Sequence, residues 1–375
     1  MERLASTSHP ANKNIGVIGL GIIGRAVAAH LRRTGSPVFV WNRSPRPVPN
    51  FVGSPGELAT HCNYIQIFVS DDEALLQIVE QLSADLTRRH VVLAHSTVAP
   101  DSMRAAAEMV EGRGARFIEA TFTGSKLAAE KGELVYYVGG TETALREARS
   151  ILEASSKKII HIGAIGEASA IKIATNMVTA ATVQATAEAL ALVQAFGVPL
   201  EKFVEAMQAN ASHSTTLAMK LPKMLNRDFE PHFSVKHMLK DMQIANQIAL
   251  SRYLDLGVAI AARDRLAEQM EWGHGDHDYS AVARKFLYDI APAAYKEPQM
   301  DGQHEQGDGG EPVTTNSESQ KAPAEPRDSN AIGIEPGEVA GLSFSGAGDG
   351  SAPTASRLRR GFIRQLLSRF SSEQG

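Results

Sequence analysis

The chain divides by the period of its apolar positions. Up to about residue 162, short apolar runs at residues 15–19, 38–41, 65–69, 91–94, 116–118 and 134–138 predict strands, with helical patterns such as residues 25–33 between most of them. That alternation builds a mostly parallel, doubly wound sheet with helices on both faces, an α/β class. After Gly166 the strand pattern stops. Apolar positions then recur at helical spacing over residues 168–196, 200–208, 235–256, 258–270 and 280–287, which predicts an all-helical second domain. Its first helix is about 40 Å long at the α-helical rise, enough to run across the domain junction.

The pattern fades near Pro292. Residues 295–356 form an acidic linker rich in Gly, Pro, Ser, Glu and Asp, without periodicity, and are expected to be disordered. Residues 357–371 predict a basic amphipathic helix with Phe362, Ile363, Leu366 and Phe370 on one side and arginines on the other. Such a helix suits an anionic membrane surface or an acidic partner, and equally suits folding back onto the acidic linker or staying disordered.

Composition narrows the function. With 375 residues, 43% of them apolar, the chain can bury two cores. A net charge of -4 gives no global bias toward nucleic acid or membrane. Cys62, the single cysteine, excludes an internal disulfide and a thiolate metal cage, and reads as a small buried apolar residue. The longest apolar stretch, residues 168–198, carries Lys172, Asn176, Gln184 and Glu188, which a membrane-spanning helix would rarely tolerate. The polar first residues show no secretory pattern, so a cytoplasmic location is expected. His274, His277 and Asp278 cluster in a helix-capping turn, and no metal site is expected there.

The first strand runs into Gly19-Leu20-Gly21-Ile22-Ile23-Gly24, which opens a helix. Gly19 allows the tight turn, Gly21 lets the backbone approach a pyrophosphate, and Gly24 lets the helix pack closely. Free N–H groups at the helix start favour phosphate. Residues 13–165 therefore read as a Rossmann-like dinucleotide-binding domain, and residues 166–294 as an all-helical second domain. The second strand ends in Asn42-Arg43-Ser44, with no acid to receive the ribose hydroxyls of NAD. A guanidinium beside a hydroxyl suits a ribose 2′-phosphate, so NADP is the expected cofactor, NADPH preferred over NADH.

Lys172 and Asn176, four residues apart, share one helix face. With them come Ser96-Thr97-Val98-Ala99-Pro100, the run from Glu119 through Thr123-Gly124-Ser125-Lys126, and Lys240-Asp241. In this order and spacing, over about residues 14–294, the chain resembles the β-hydroxyacid dehydrogenase family. That family includes 3-hydroxyisobutyrate dehydrogenase, tartronate semialdehyde reductase and the glyoxylate/succinic semialdehyde reductases. The resemblance implies hydride transfer between a small β-hydroxyacid and its semialdehyde, with Lys172 as general acid/base and Asn176 holding the reacting oxygen. It also implies that Ser96, Thr123, Gly124 and Ser125 contact the substrate carboxylate. Val69, Ser70 and Thr97 would lie along the cofactor, with Lys240 near the nicotinamide. A homodimer or homotetramer through the helical domain is implied as well. The chemistry is apt: an ammonium can stabilise and protonate a developing alkoxide, and oxidation needs the amine neutral, which burial and Lys240 would promote.

This chain departs from the family pattern in three places. Thr121-Phe122-Thr123-Gly124-Ser125 stands where Pro-Val-Ser-Gly-Gly is usual, Ala94-His95 replaces the usual acid before Ser-Thr, and Ala168 replaces a glycine. The Gly124-Ser125-Lys126 segment with Asn42-Arg43 leans toward the glyoxylate/succinic semialdehyde reductase branch. Two other readings stand beside this one. An imine reductase on the same fold would commonly carry Asp or Tyr in place of Lys172, and a non-catalytic NADP-binding scaffold would use its tail to engage a partner.

Overall fold

Strands of four residues suffice where every side chain is buried, and β1 (Ile15–Ile18) and β4 (Val91–Ala94) are wholly so. The computed structural model describes residues 13–287, and the expected linker and terminal helix lie outside the described residues. With β2 (Val38–Trp41), β3 (Tyr64–Ile67), β5 (Arg116–Thr123), β6 (Leu134–Gly139) and β7 (Ser156–Gly163), they form one seven-stranded sheet in the order β2-β1-β3-β4-β5-β6-β7. Neighbours are parallel except β5 and β6. The order reverses at β1, so the switch point where such sheets bind ligands lies past the carboxyl ends of β1 and β3.

Helices α1 (Ile22–Arg33), α2 (Pro55–His61), α3 (Asp72–Ser83), α4 (Pro100–Glu111), α5 (Lys126–Lys131) and α6 (Glu142–Glu153) connect the strands. One apolar layer gathers Val17, Leu31, Leu93, Tyr136 and Ile151. The other gathers Ile18, Leu58, Ile67, Leu82 and Met103. Two sheet features differ from the sequence pattern. β5 runs on to Thr123 because antiparallel pairing with β6 prolongs its ladder. β7 carries no buried alternation, since Lys157 and Lys158 are exposed on this edge strand, where charge discourages further pairing.

The helical part follows as α7 (Glu167–Ala195), α8 (Leu200–Gln208), α9 (Thr215–Leu225), α10 (Val235–Arg252) and α11 (Gly257–Glu271). It packs around Val183, Leu217, Met238, Leu266 and Tyr279. α9 was not anticipated, because Pro222 inside it reads as a breaker. α10 stops at Arg252, short of residue 256, where Tyr253 turns to φ 56°. The last segment is a 3₁₀ turn, Tyr279–Lys285, begun by the Asp278 side chain accepting the Ser280 N–H. No described helix is long and apolar enough to cross a membrane.

Two buried carboxylates hold this arrangement. α7 starts at Gly166 without a side-chain cap of its own. Glu119 on β5, fully buried, accepts the N–H groups of Gly166 and Ser169 instead, which fastens the helix start to the sheet. Asp278 accepts from Lys220 Nζ at 2.8 Å with both side chains buried, and that ammonium lies 4.4 Å from the Tyr279 ring centre.

Candidate active site

The fingerprint has the local geometry that a bound dinucleotide requires. A Cβ at Gly19, whose φ is 92°, would lie 2.0 Å from the Phe68 carbonyl oxygen. At Gly24 it would lie 2.0 Å from the Gly19 carbonyl oxygen, so α1 packs where only glycine allows. At Gly21 it would meet nothing within 4 Å, leaving open space before the helix start. α1 has neither a side-chain cap nor an acid in its first turn, so the donors at Ile22 and Ile23 face an approaching anion. The fit to a pyrophosphate is good.

The Leu20 N–H donates to Asn42 Oδ1 at 2.9 Å, and Asn42 Nδ2 donates to the Ser44 carbonyl at 2.9 Å. Asn42 thus braces the fingerprint turn against the end of β2. Arg43 and Ser44 are exposed beside it, and neither side chain has a hydrogen-bond or ion-pair partner among the described residues.

Lys172 lies in the second turn of α7, and the helix spacing delivers the pair anticipated for it. Its Nζ donates to Asn176 Oδ1 at 2.9 Å. Asn176, buried, turns its amide N–H to Asp241 Oδ2 at 2.6 Å. Asn176 therefore orients the lysine in this structure, with its carbonyl committed to Nζ. Asp241 Oδ1 sits 2.8 Å from Lys240 Nζ, and that ammonium donates to the Thr97 carbonyl. A continuous path thus joins α7, α10 and the turn after β4. Burial pushes Lys172 down to about 8, Asp241 opposing the fall and Lys240 adding to it.

The strand-end turns divide into two groups. Ser96 and Val69 meet directly, Ser96 Oγ accepting the Val69 N–H at 3.1 Å. Ser70 Oγ donates to Asp71 Oδ2 at 2.6 Å beside the start of α3. Thr123 and Gly124 lead from β5 into α5, where Ser125 caps the helix by accepting the Ala128 N–H. No hydrogen bond among the described residues links this turn to Lys172.

Sequence reasoning gave Asp241 no role of its own in the site. Yet it pairs with Lys240, is 1% exposed and forms the hub of the site. The Lys240-Asp241 pair was visible, but its adjacency does not reveal that the aspartate turns inward to Asn176. Among the His274 group, Asp278 is committed to Lys220 and His274 Nδ1 lies 2.9 Å from Gln269 Oε1.

Two family models match the chain in tandem. One describes the NAD binding domain of 6-phosphogluconate dehydrogenase and covers residues 14–163. The other, NAD-binding of NADP-dependent 3-hydroxyisobutyrate dehydrogenase, covers residues 166–286. Glyoxylate/succinic semialdehyde reductase 1 of Arabidopsis thaliana is 28% identical over 72% of this chain and 96% of its own length. The cytokine-like nuclear factor N-PAC of Anopheles gambiae is also 28% identical, over 71% of this chain and 49% of its own length. Among solved structures, 3-hydroxyisobutyrate dehydrogenase of Mycobacterium tuberculosis shares 25% identity over 73% of this chain and 98% of that chain, with a TM-score of 0.67. With the tandem match falling on the two layers that meet at Lys172, the chain belongs to the β-hydroxyacid dehydrogenase family of NAD(P)-dependent oxidoreductases.

Proposed function

We propose that this chain is an NADPH-dependent reductase of small acid semialdehydes, reversible to oxidation of the matching β-hydroxyacid. The observation that carries the reading is Lys172, an ammonium with its pKa brought to about 8 and its direction set by Asn176 and Asp241. A lysine so held can give a proton near neutral pH and take it back in mild alkali. Similarity to a protein named glyoxylate/succinic semialdehyde reductase supports the substrate class.

NADPH, when bound, supplies the hydride. The N–H groups at Ile22 and Ile23 would receive its pyrophosphate, with Gly19, Leu20, Gly21 and Gly24 shaping the turn, and Arg43 with Ser44 would take its 2′-phosphate. Ser96, Thr123, Gly124 and Ser125 would hold the substrate carboxylate through hydroxyl and backbone donors. Lys172 then protonates the carbonyl oxygen as negative charge grows there, while Lys240, fixed on the Thr97 carbonyl, keeps a second positive charge in the cleft. In the reverse direction neutral Lys172 removes the alcohol proton. Retention of a lysine at this position argues against imine reduction. A homodimer or homotetramer is proposed as well, supported by exposed apolar residues such as Val178, Leu250 and Val258 on the helical part.

The test is NADPH oxidation with glyoxylate, succinic semialdehyde, tartronate semialdehyde and methylmalonate semialdehyde. Turnover of at least one is expected, with kcat falling roughly 10²–10⁴-fold in Lys172→Ala while NADPH still binds. Undiminished turnover in that variant would remove the mechanism.

A further inference from the structure

His95 occupies a position that the proposed mechanism leaves without a role. It sits where β4 leaves the sheet, immediately before Ser96 and Thr97, and is fully buried. Its ring stacks on Phe68 with centres 4.3 Å apart and planes 6° from parallel. It also meets Tyr136 at 5.2 Å, while Phe68 meets Phe122 at 6.4 Å. These rings lie beneath three turns at once: Phe68 precedes Val69 and Ser70, His95 precedes Ser96 and Thr97, and Phe122 precedes Thr123 and Gly124.

The imidazole is also tied across strands. Its Nδ1 lies 2.8 Å from the Ala120 carbonyl oxygen on β5, one residue past the last β4–β5 ladder pair, Ala94 with Glu119. A carbonyl only accepts, so Nδ1 carries the proton and donates it. Burial pushes the ring's pKa down to about 3, so it stays neutral and is unsuited to proton transfer in the reaction. An imidazole here belongs to one of the departures of this chain from the family pattern.

We propose that His95 is a positioning residue, whose Nδ1–H on Ala120 and ring face on Phe68 splice β3, β4 and β5 where their ladders end. The splice sets Ser96 and Thr97 against Val69 on one side and Thr123 on the other. The proposal rests on the reading of these turns as the cofactor and substrate site.

Two substitutions separate the hydrogen bond from mere filling of space. His95→Asn keeps a donor near the Nδ1 position and loses the ring, whereas His95→Phe keeps the ring and loses the donor. With the semialdehyde that the wild type reduces, His95→Phe should lose roughly tenfold or more in kcat, and His95→Asn should stay within about threefold of wild type. Deuterated NADPH should give a larger isotope effect in His95→Phe, as hydride transfer slows. Wild-type kcat in His95→Phe, or a His95→Asn variant as impaired as His95→Phe, overturns the proposal. If either variant fails to fold, ¹⁵N-histidine spectra of the wild type decide. A neutral ring protonated at Nδ1 down to pH 5 supports the splice, and a titrating or Nε2-protonated ring refutes it. Lys172→Ala is measured alongside: retained turnover there sinks the reading of the site. An inactive Lys172→Ala beside a normal His95→Phe sinks this inference alone.

Discussion

In the role proposed for it, Lys172 sets function against folding. Burial, with Lys240 adding to it and Asp241 opposing it, lowers its pKa from 10.5 to about 8, so the folded state disfavours the ammonium. For a lysine shifted this way the cost is present in full below pH 8 and disappears as pH rises through 10.5, the reverse of a salt-bridged lysine. The size of the shift sets an upper bound of about 3 kcal/mol at neutral pH. Lys172→Met should therefore abolish turnover while leaving the thermal midpoint unchanged or higher, and a clear fall in midpoint would show that the lysine stabilises the fold. The same titration orders the kinetics. Reduction needs the protonated form, so its kcat should decline as pH rises through about 8, while oxidation should increase over the same window. Asp241 opposes the fall in pKa, and Asp241→Asn removes that opposition. Both limbs should then move about one unit toward lower pH. Unmoved limbs would mean that Asp241 acts on Asn176 alone.

At the scale of the element, α7 depends on a carboxylate that it does not own. Glu119 reaches from β5 to the donors of Gly166 and Ser169, one turn before Lys172. Burial raises its pKa, yet those N–H groups favour its charged form. Glu119→Ala leaves both donors without an acceptor, and urea unfolding should show a loss of about 2 kcal/mol or more. A loss near zero would mean that another group caps the helix.

That dependence also marks the limit of what the sequence discloses. α7 was legible almost to the residue, since apolar spacing carries its own period. Lys172 stood out because an ammonium on an apolar helix needs a reason. Glu119 and Asp241 act through partners far away along the chain, and β7 and α9 lack a pattern of their own, one through exposed lysines and the other through Pro222. Local composition discloses an element, whereas a contact across the fold has to be seen.

At the scale of the whole molecule, charge is unevenly distributed. The net charge is -4, yet no Asp or Glu falls between Glu2 and Glu57. Six arginines do, namely Arg3, Arg25, Arg32, Arg33, Arg43 and Arg46, and the last five follow the fingerprint directly in sequence. Arg32 is committed to the Pro49 carbonyl and Arg33 to the His30 ring, whereas the side chains of Arg25, Arg43 and Arg46 have no partner among the described residues. The loop bearing Arg43 and Arg46 is stiffened by Pro45, Pro47 and Pro49 and tied down by Asn50 Nδ2 on the Val38 carbonyl. If this loop meets the ribose as proposed, its cationic, preorganised side chains would favour a cofactor with the additional phosphate. Arg43→Ala should raise KM for NADPH roughly tenfold with KM for NADH nearly unchanged, and adding Arg46→Ala should deepen that asymmetry. Added salt should weaken NADPH binding in the wild type more than in the double variant, because screening acts on the charges that remain. Equal losses for both cofactors would place the arginines away from the 2′-phosphate and return the choice of cofactor to Ser44 and the backbone.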